Sequence, residues 1–288
     1  MPHVIRAKVE AEAVSTILPD GKNVRTLSVA QIEELASRLG TDGKTIEITA
    51  LENEILPERY LRNFSSFTPS DQIRLLKSSV AVVGLGGLGG TVTEWIARAG
   101  VGHLDLIDGD RFEDHNLNRQ LLCTQNRLGA SKARAAADRV ARVNSSLTIR
   151  AHAETLTAQN AARLINGCHV AVDCLDNISS RFIVEQAARS AGVPFISAAV
   201  AGLTGHITTV YPQDKGLELI YGPMEDLRQD RGIETAIGNL PQTVGLLASL
   251  ESAEVINVLL GRGEDRLLRN RMLMVDLSTH TYEILRLL

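Results

Sequence analysis

The sequence contains little that would point to a metal centre, a disulfide scaffold or a membrane. Its 288 residues include only three cysteines, Cys123, Cys168 and Cys174, and no two of them form a C-x-x-C pair. We therefore expect no zinc site, and so few thiols in a chain of this length favour a reducing, cytoplasmic location. No signal-peptide pattern marks the N-terminus, and no apolar run is long enough to span a bilayer.

The sequence also lacks an excess of positive charge. It has 30 basic and 34 acidic residues, so the formal net charge is −4. Nucleic acid and anionic membranes are therefore not expected partners. An apolar fraction of 44% and a charged fraction of 22% are typical of an ordinary globular protein.

Residues 1–56 are predicted to form a small N-terminal α/β module. Alternating apolar and polar residues predict strands over Val4–Glu10 and Lys44–Ala50, and Pro19-Asp20-Gly21 predicts a hairpin turn. Between them, Ser28 begins a helix with a capping-box pattern, and Gly40 ends it. This order resembles a fragment of a ubiquitin-like β-grasp, but an unrelated α/β appendage is the preferred interpretation.

Residues 57–288 are predicted to form a second, larger domain in which strand and helix patterns alternate. The pattern predicts an α/β fold with a Rossmann-like, doubly wound, mostly parallel sheet and later antiparallel strands. The polar segment Pro212–Gly238 predicts a long loop before a long apolar helix over Leu240–Leu260. The predicted strands are Val80–Leu85, Leu104–Asp108, Thr148–His152, Val170–Cys174, Phe195–Ala199, His206–Tyr211 and a closing hairpin of Met272–Leu277 with Tyr282–Leu288.

The glycine-rich stretch VAVVGLGGLGG, Val80–Gly90, predicts a buried strand, a tight turn and a helix. Such a turn offers free backbone N–H groups and the positive end of a helix dipole to a phosphate. Asp108 follows at about the distance where a βαβ unit places an acid for a ribose hydroxyl. Ordinary tight packing would explain the glycines alone, and the pattern does not distinguish NAD, FAD and ATP. The turn glycines are Gly84, Gly86, Gly87 and Gly89.

Further polar residues follow in places where they can form an anion site. Asp110 and the segment His115–Gln120 come directly after the ribose-binding position, and Lys132 begins the next helix. Arginine makes bidentate contacts to phosphate oxygens, and an ammonium group can neutralise a triphosphate or a departing pyrophosphate. The segment supplies Asn116, Arg119 and Gln120.

Two carboxylates end the predicted strand Val170–Cys174. Because ligands bind at the carboxyl ends of strands in such sheets, Asp173 or Asp176 is placed to hold Mg²⁺ beside the phosphates. We favour Asp176 as the metal ligand. The alternative is that one of them caps the helix that starts near Ser179.

The motifs GLGGLG, LIDGD, NLNRQ, GASKA and DCLDN, in this order, resemble the ThiF/MoeB/HesA family, which is related to ubiquitin-activating enzymes. The resemblance covers Pro57–Leu288 and includes RYLRN, Arg59–Asn63. It implies an adenylyltransferase that uses ATP and Mg²⁺ to activate the C-terminal carboxylate of a small ubiquitin-like sulfur-carrier protein ending in Gly-Gly. The products are an acyl adenylate and pyrophosphate.

The resemblance also implies roles for single residues. Asp108 holds the ribose, and in a homodimer Arg62 reaches the ATP of the partner subunit. The residues implied to hold phosphates are Asn116, Arg119, Gln120 and Lys132. Together with Asp176 and Arg62, Arg119 and Lys132 form the expected catalytic set.

One departure from the family concerns cysteine. Glu234-Thr235-Ala236 stands where many members carry a cysteine before the long helix, and no cysteine follows Cys174. We therefore expect neither a zinc site nor a thioester relay. Two alternatives remain open from the sequence, a non-catalytic scaffold of the same fold and an NAD-dependent oxidoreductase.

Overall fold

The computed structural model describes residues 2–18, 20–227 and 237–287. Within these ranges the chain forms a small sheet near the N-terminus and one large mixed sheet. No helix in the described ranges is both long and apolar enough to cross a bilayer.

The N-terminal module contains α1, β1, β2, α2, α3 and β3. Its strands pair in the order β1-β2-β3, with β1 antiparallel and β3 parallel to β2. A hydrophobic core of its own, including Val9, Ile32 and Ile46, lies between the helices and this sheet. The elements are α1 (Pro2–Glu12), β1 (Val14–Ile17), β2 (Asn23–Leu27), α2 (Val29–Leu39), α3 (Gly43–Glu52) and β3 (Ile55–Pro57).

Two strand predictions in this module are wrong. Val4–Glu10 lies within α1, and Lys44–Ala50 lies within α3. In each helix the buried apolar residues are four positions apart, as Ile5 and Val9 are in α1, and this spacing suits one helix face as well as one strand face. Asp42 also caps α3 by accepting a hydrogen bond from the Thr45 N–H. The β-grasp interpretation is therefore wrong.

The central part of the module is as predicted. Ser28 and Gln31 form the capping box of α2, and Gly40 ends that helix with a left-handed φ of 63°. The pairing of β1 with β2 confirms the hairpin, although Pro19 of the predicted turn lies outside the described residues.

The large sheet has the strand order β11-β10-β9-β8-β7-β4-β5-β6. Strands β4 to β8 pair in parallel, whereas β8 to β11 form an antiparallel meander. This confirms the α/β fold with a mixed sheet. The strands are β4 (Ser79–Val83), β5 (His103–Ile107), β6 (Thr148–His152), β7 (Val170–Asp173), β8 (Phe195–Ala201), β9 (Thr204–Val210), β10 (Arg271–Asp276) and β11 (Thr281–Arg286).

Helices cover both faces of the parallel strands. One apolar cluster joins one face of the sheet to α5, α6 and α10, and a second joins the opposite face to α7 and α8. The helices are α4 (Pro69–Lys77), α5 (Gly87–Ala99), α6 (Lys132–Val143), α7 (Ala161–Ile165), α8 (Ile178–Ala191), α9 (Glu218–Tyr221) and α10 (Pro241–Leu259). Short 3₁₀ turns lie at Glu58–Asn63, Asp114–Asn116, Gln125–Arg127, Met224–Asp226 and Glu264–Arg266.

The predicted loop Pro212–Gly238 is not wholly irregular. It contains α9 and the 3₁₀ turn Met224–Asp226, because Gly216 and Gly222, both with positive φ, bracket a short apolar turn that packs on the sheet. Residues 228–236, which include Glu234-Thr235-Ala236, lie outside the described residues.

Candidate active site

A cavity of about 260 Å³ lies at the carboxyl ends of β4, β5 and β7. This is the edge of a doubly wound sheet at which ligands bind. Nine residues predicted from the sequence line the cavity, so the structure brings together motifs that are up to 92 positions apart, from 84 to 176. They are Gly84, Gly86, Gly87, Asp108, Asp110, Arg119, Gln120, Lys132 and Asp176.

The glycine turn packs too closely for side chains. Gly84 has a φ of +87°, and a Cβ there would lie 2.7 Å from the Cys174 carbonyl oxygen. Gly89 does not line the cavity, but a Cβ on it would lie 1.8 Å from the carbonyl oxygen of Gly84. Helix α5 begins at this turn. Among the described residues, no side chain makes a capping hydrogen bond at its N-cap residue, Gly86. Its first N–H groups are therefore available to an anion.

Asp108 is buried at the end of β5 and holds the glycine turn in place. One carboxylate oxygen accepts a hydrogen bond from the Leu85 N–H at 2.7 Å, and the other accepts from the Asp110 N–H at 2.7 Å. Burial raises the pKa of Asp108, while the nearby Lys132 ammonium and these N–H groups lower it. Each oxygen can accept a further hydrogen bond, and Asp108 lines the cavity, as a contact with ribose hydroxyls requires.

Two cations and a buried amide line the cavity beyond Asp108. Lys132, whose side chain is only 9% exposed, forms an ion pair with Asp110 at 2.9 Å. Arg119 donates to the His115 carbonyl oxygen at 3.1 Å and keeps further donors. The buried Oε1 of Gln120 has no hydrogen-bond partner among the described residues, so this wall contains an acceptor that a ligand donor would satisfy.

Asp176 is exposed at the rim of the cavity, just beyond β7. Its contact with the Asn177 amide is long, 3.4 Å, so the carboxylate remains available to a cation. Helix α8 is capped by Asn177, which accepts from the Ser180 N–H at 2.9 Å, so the capping alternative for Asp173 and Asp176 is wrong. No cluster of three or more metal-ligating side chains occurs in the described parts of the chain.

Arg181 is a cavity residue that the sequence reasoning missed. It pairs with the fully buried Asp173 at 2.9 Å and donates to the carbonyl oxygens of Leu175 and Ala198. Asp173 in turn accepts from the Leu175 N–H, so the pair fixes the turn that presents Asp176. An arginine eight positions after a buried strand aspartate was the available signal, since such a carboxylate needs a cation.

Other parts of the cavity come from distant segments. Thr155 and Leu156 follow β6, and Val244 belongs to α10. No local motif marks these three residues, because only the tertiary fold brings them to the site.

Besides Gly89, two predicted site residues do not line the cavity. The Oδ1 of the buried Asn116 accepts from the Glu113 N–H at 3.0 Å, and its carbonyl oxygen accepts from the Gln120 N–H at 2.9 Å. Asn116 thus shapes the turn that carries Gln120, and it is not among the described residues that line the cavity. Arg62 is exposed on the turn Glu58–Asn63 and does not line the cavity of its own chain.

The surroundings of the three cysteines, burial and nearby carboxylates, favour the neutral thiol. Cys123 and Cys168 are buried and Cys174 is half-buried, and burial raises the pKa of each thiol, to about 12 for Cys168. Cys174 lines the cavity, where its thiol contacts the buried Glu251 at 3.6 Å. None of the three is therefore a thiolate at neutral pH.

The chain is similar to curated proteins over most of its length. The chain is 32% identical over 247 residues to an adenylyltransferase and sulfurtransferase MOCS3 of Drosophila persimilis, and 32% identical over 264 residues to that of Drosophila yakuba. These alignments cover 83% and 90% of the chain but only 53% and 56% of the relatives, so the chain spans about half of their length.

Solved structures share the fold. A crystal structure of E. coli MccB with ATP matches with a TM-score of 0.68 at 22% identity, covering 80% of this chain and 71% of that one. A crystal structure of PaaA matches with a TM-score of 0.67 at 19% identity, covering 80% and 82%. The sequence profile of the ThiF family matches residues 58–287. The chain therefore belongs to the ThiF family.

Proposed function

We propose that the chain is an adenylyltransferase that uses ATP to activate the C-terminal carboxylate of a small ubiquitin-like carrier protein ending in Gly-Gly. The observation that carries the proposal is one cavity that combines an uncapped helix N-terminus, two cations and an exposed carboxylate. The names of the MOCS3 relatives and the ATP complex of MccB support the same activity.

The chemistry needs charge neutralisation and positioning more than proton transfer. A C-terminal carboxylate is ionised at neutral pH, so it attacks the α-phosphate without a general base. The α-phosphate–oxygen bond to the β-phosphate breaks, and the acyl adenylate and pyrophosphate form. In this proposal the N-terminus of α5, Arg119 and Lys132 hold the phosphates and offset the developing charge, while Asp108 orients the ribose.

Asp176 is the residue proposed to hold Mg²⁺. Mg²⁺ is usually coordinated by one or two carboxylates together with substrate phosphates. A single exposed carboxylate at the cavity rim suits this coordination. When bound, the ion would polarise phosphate oxygens and neutralise their charge. Arg181 and Asp173 keep the turn before Asp176 in place.

The remaining assignments complete the proposed site. We assign Asn116 to the phosphate loop as the residue that fixes the turn before Arg119 and Gln120. Since Arg62 is exposed and outside its own cavity, a homodimer in which it reaches the partner subunit's ATP remains our proposal. The raised pKa of each cysteine supports a reaction that uses no thiol of this chain.

An NAD-dependent oxidoreductase explains the site less well. A dinucleotide would use the glycine turn and Asp108, but it gives no role to Lys132, Arg119 and Asp176 around the same cavity. A non-catalytic scaffold would not need this set of charges around one cavity.

Carrier-dependent exchange of labelled pyrophosphate into ATP tests the proposal. We expect exchange with the wild-type chain, and a loss of at least about 100-fold in Asp176→Asn, as for the removal of one electrostatic group. Asp138→Asn, an exposed acid on α6, is the matched control and should keep full exchange. Full exchange by Asp176→Asn would exclude this residue from the metal site, and no exchange by the wild type with any carrier would refute the proposed function.

A further inference from the structure

A second cavity of about 260 Å³ adjoins the nucleotide cavity. The two cavities share four residues at their junction, Asp176, Arg181, Ala199 and Val200. A carboxylate that reaches the α-phosphate beside Asp176 therefore has open space behind it for the chain that carries it. The second cavity has the same volume as the first. This volume is more than a chain of two glycines, without side chains, would fill.

A row of residues across three antiparallel strands forms the floor of the second cavity. Ala199 on β8 is opposite His206 on β9, and His206 is opposite Met274 on β10. Because neighbouring strands lie about 4.8 Å apart, Met274 lies roughly 10 Å from Ala199 across the sheet. Two extended residues span about 7 Å. A Gly-Gly end that starts at the junction therefore passes over His206, and the residue before it lies beside Met274.

Among the described residues, the far part of the cavity has no charged side chain. Beyond the junction its described lining residues are apolar or neutral, and its two charged groups, Asp176 and Arg181, lie at the junction. Burial, and then the Arg181 charge, lower the pKa of His206 to about 4, so its imidazole is neutral at pH 7. Its Nε2 lies 3.3 Å from the Tyr221 hydroxyl. The other lining residues are Ile178, Ala201, Thr204, Gly205 and Met274.

We propose that the second cavity binds the side chain of the residue that precedes the C-terminal Gly-Gly, and that Met274, His206 and Tyr221 select an uncharged, apolar side chain there. This inference rests on the proposed function and specifies its substrate. A charged side chain at this place would lose its hydration without gaining a partner, because the described residues of the far part of the cavity are neutral. A leucine-sized side chain would bury its surface against Met274 and Ile178.

Pyrophosphate exchange with four synthetic ten-residue peptides tests the inference. The peptides share seven residues and end in Leu-Gly-Gly, Gly-Gly-Gly, Lys-Gly-Gly or Glu-Gly-Gly. For the wild-type chain we expect kcat/KM with the leucine peptide to exceed that with either charged peptide by at least about tenfold, with KM for ATP unchanged.

A pair of matched variants locates the selecting side chain. Met274→Glu should abolish the preference for leucine and favour the lysine peptide over the glutamate peptide. Met272→Glu should keep the wild-type order, because Met272 is two positions away on the same face of β10 and is half-buried like Met274, but does not line the cavity.

The outcomes separate this inference from the proposed function. Exchange at equal kcat/KM with all four peptides would overturn the inference and leave the proposed function standing. An unchanged order in Met274→Glu would also overturn it. Exchange with none of the four peptides, by a chain that also fails with every carrier protein, would refute the proposed function and the inference with it.

Discussion

Removing the Glu47 carboxylate is expected to loosen the N-terminal module from the rest of the chain. Glu47 on α3 is fully buried and lies 3.1 Å from the Arg59 guanidinium as an ion pair. It accepts hydrogen bonds from the Ser146 hydroxyl at 2.9 Å and the Tyr60 hydroxyl at 3.2 Å. Asn144 joins the same network through Tyr60 and Arg59. One carboxylate of the module thus connects two segments of the rest of the chain, the 3₁₀ turn Glu58–Asn63 and the residues directly after α6.

The magnitude follows from what Glu47→Ala leaves behind. Arg59, whose side chain is only 11% exposed, would keep its charge without a carboxylate, and two buried hydroxyls would lose an acceptor. Breaking a buried ion pair by removing one partner costs about 3–5 kcal/mol. Burial raises the pKa of Glu47 against the opposing effect of Arg59, so the lower end of that range applies. For a chain of this size, 3 kcal/mol lowers Tm by roughly 6–12 °C.

Thermal unfolding followed by circular dichroism measures the effect. Glu52→Ala is the matched control, since Glu52 lies on the same helix and pairs with Lys77 at 3.5 Å, but both side chains are more than half exposed. This variant should change stability by less than about 1 kcal/mol. Equal Tm values for Glu47→Ala and Glu52→Ala would refute the proposed importance of the buried network. Arg59 and Arg62 lie on the same 3₁₀ turn. Glu47→Ala should therefore also weaken the proposed contact of Arg62 with the ATP of the partner subunit.

Three further predictions concern pH, the glycine turn and the thiols. The folded-state pKa of His206, about 4, lies below the unfolded value near 6.5, so the unfolded chain binds more protons between them and stability falls as the pH falls through that window. The free energy of unfolding should fall by up to about 3 kcal/mol between pH 6.5 and pH 4. The urea midpoint of the wild type should therefore fall relative to that of His206→Phe over this range, and a constant difference between the two midpoints would contradict the prediction. Gly89→Ala should abolish ATP binding measured by calorimetry, because its Cβ would lie 1.8 Å from a backbone oxygen, whereas Gly245→Ala, with no atom within 4 Å, should bind normally. Replacing all three cysteines by alanine should keep pyrophosphate exchange, and a reductant-sensitive conjugate between carrier and enzyme would show this to be wrong.

The sequence predicted the large mixed sheet well because its strands carry clear signals. The four-residue apolar run Val80–Val83 is buried on both faces of the sheet, and a tight turn and helix α5 follow it. The N-terminal module was harder to predict. Apolar residues four positions apart satisfy both a helix and a strand, and a cap such as Asp42 resolves the ambiguity only when it is noticed.

The site divides in a similar way. Gly84, Asp108 and Lys132 belong to local motifs whose chemistry is readable from spacing, and all three line the cavity. Arg181 and Val244 reach it from α8 and α10, and only tertiary packing brings those helices to the ends of the strands. Local sequence also did not indicate that Asn116 would face its own turn.

Intact-mass spectrometry of the carrier after one turnover tests the central claim most directly. The wild-type chain, incubated with Mg-ATP and a carrier that supports exchange, is predicted to yield carrier with one AMP on its C-terminal carboxylate, together with pyrophosphate. The adduct should disappear when the carrier lacks its last residue. Formation of ADP and phosphate, or transfer of AMP to this chain instead of the carrier, would contradict the account.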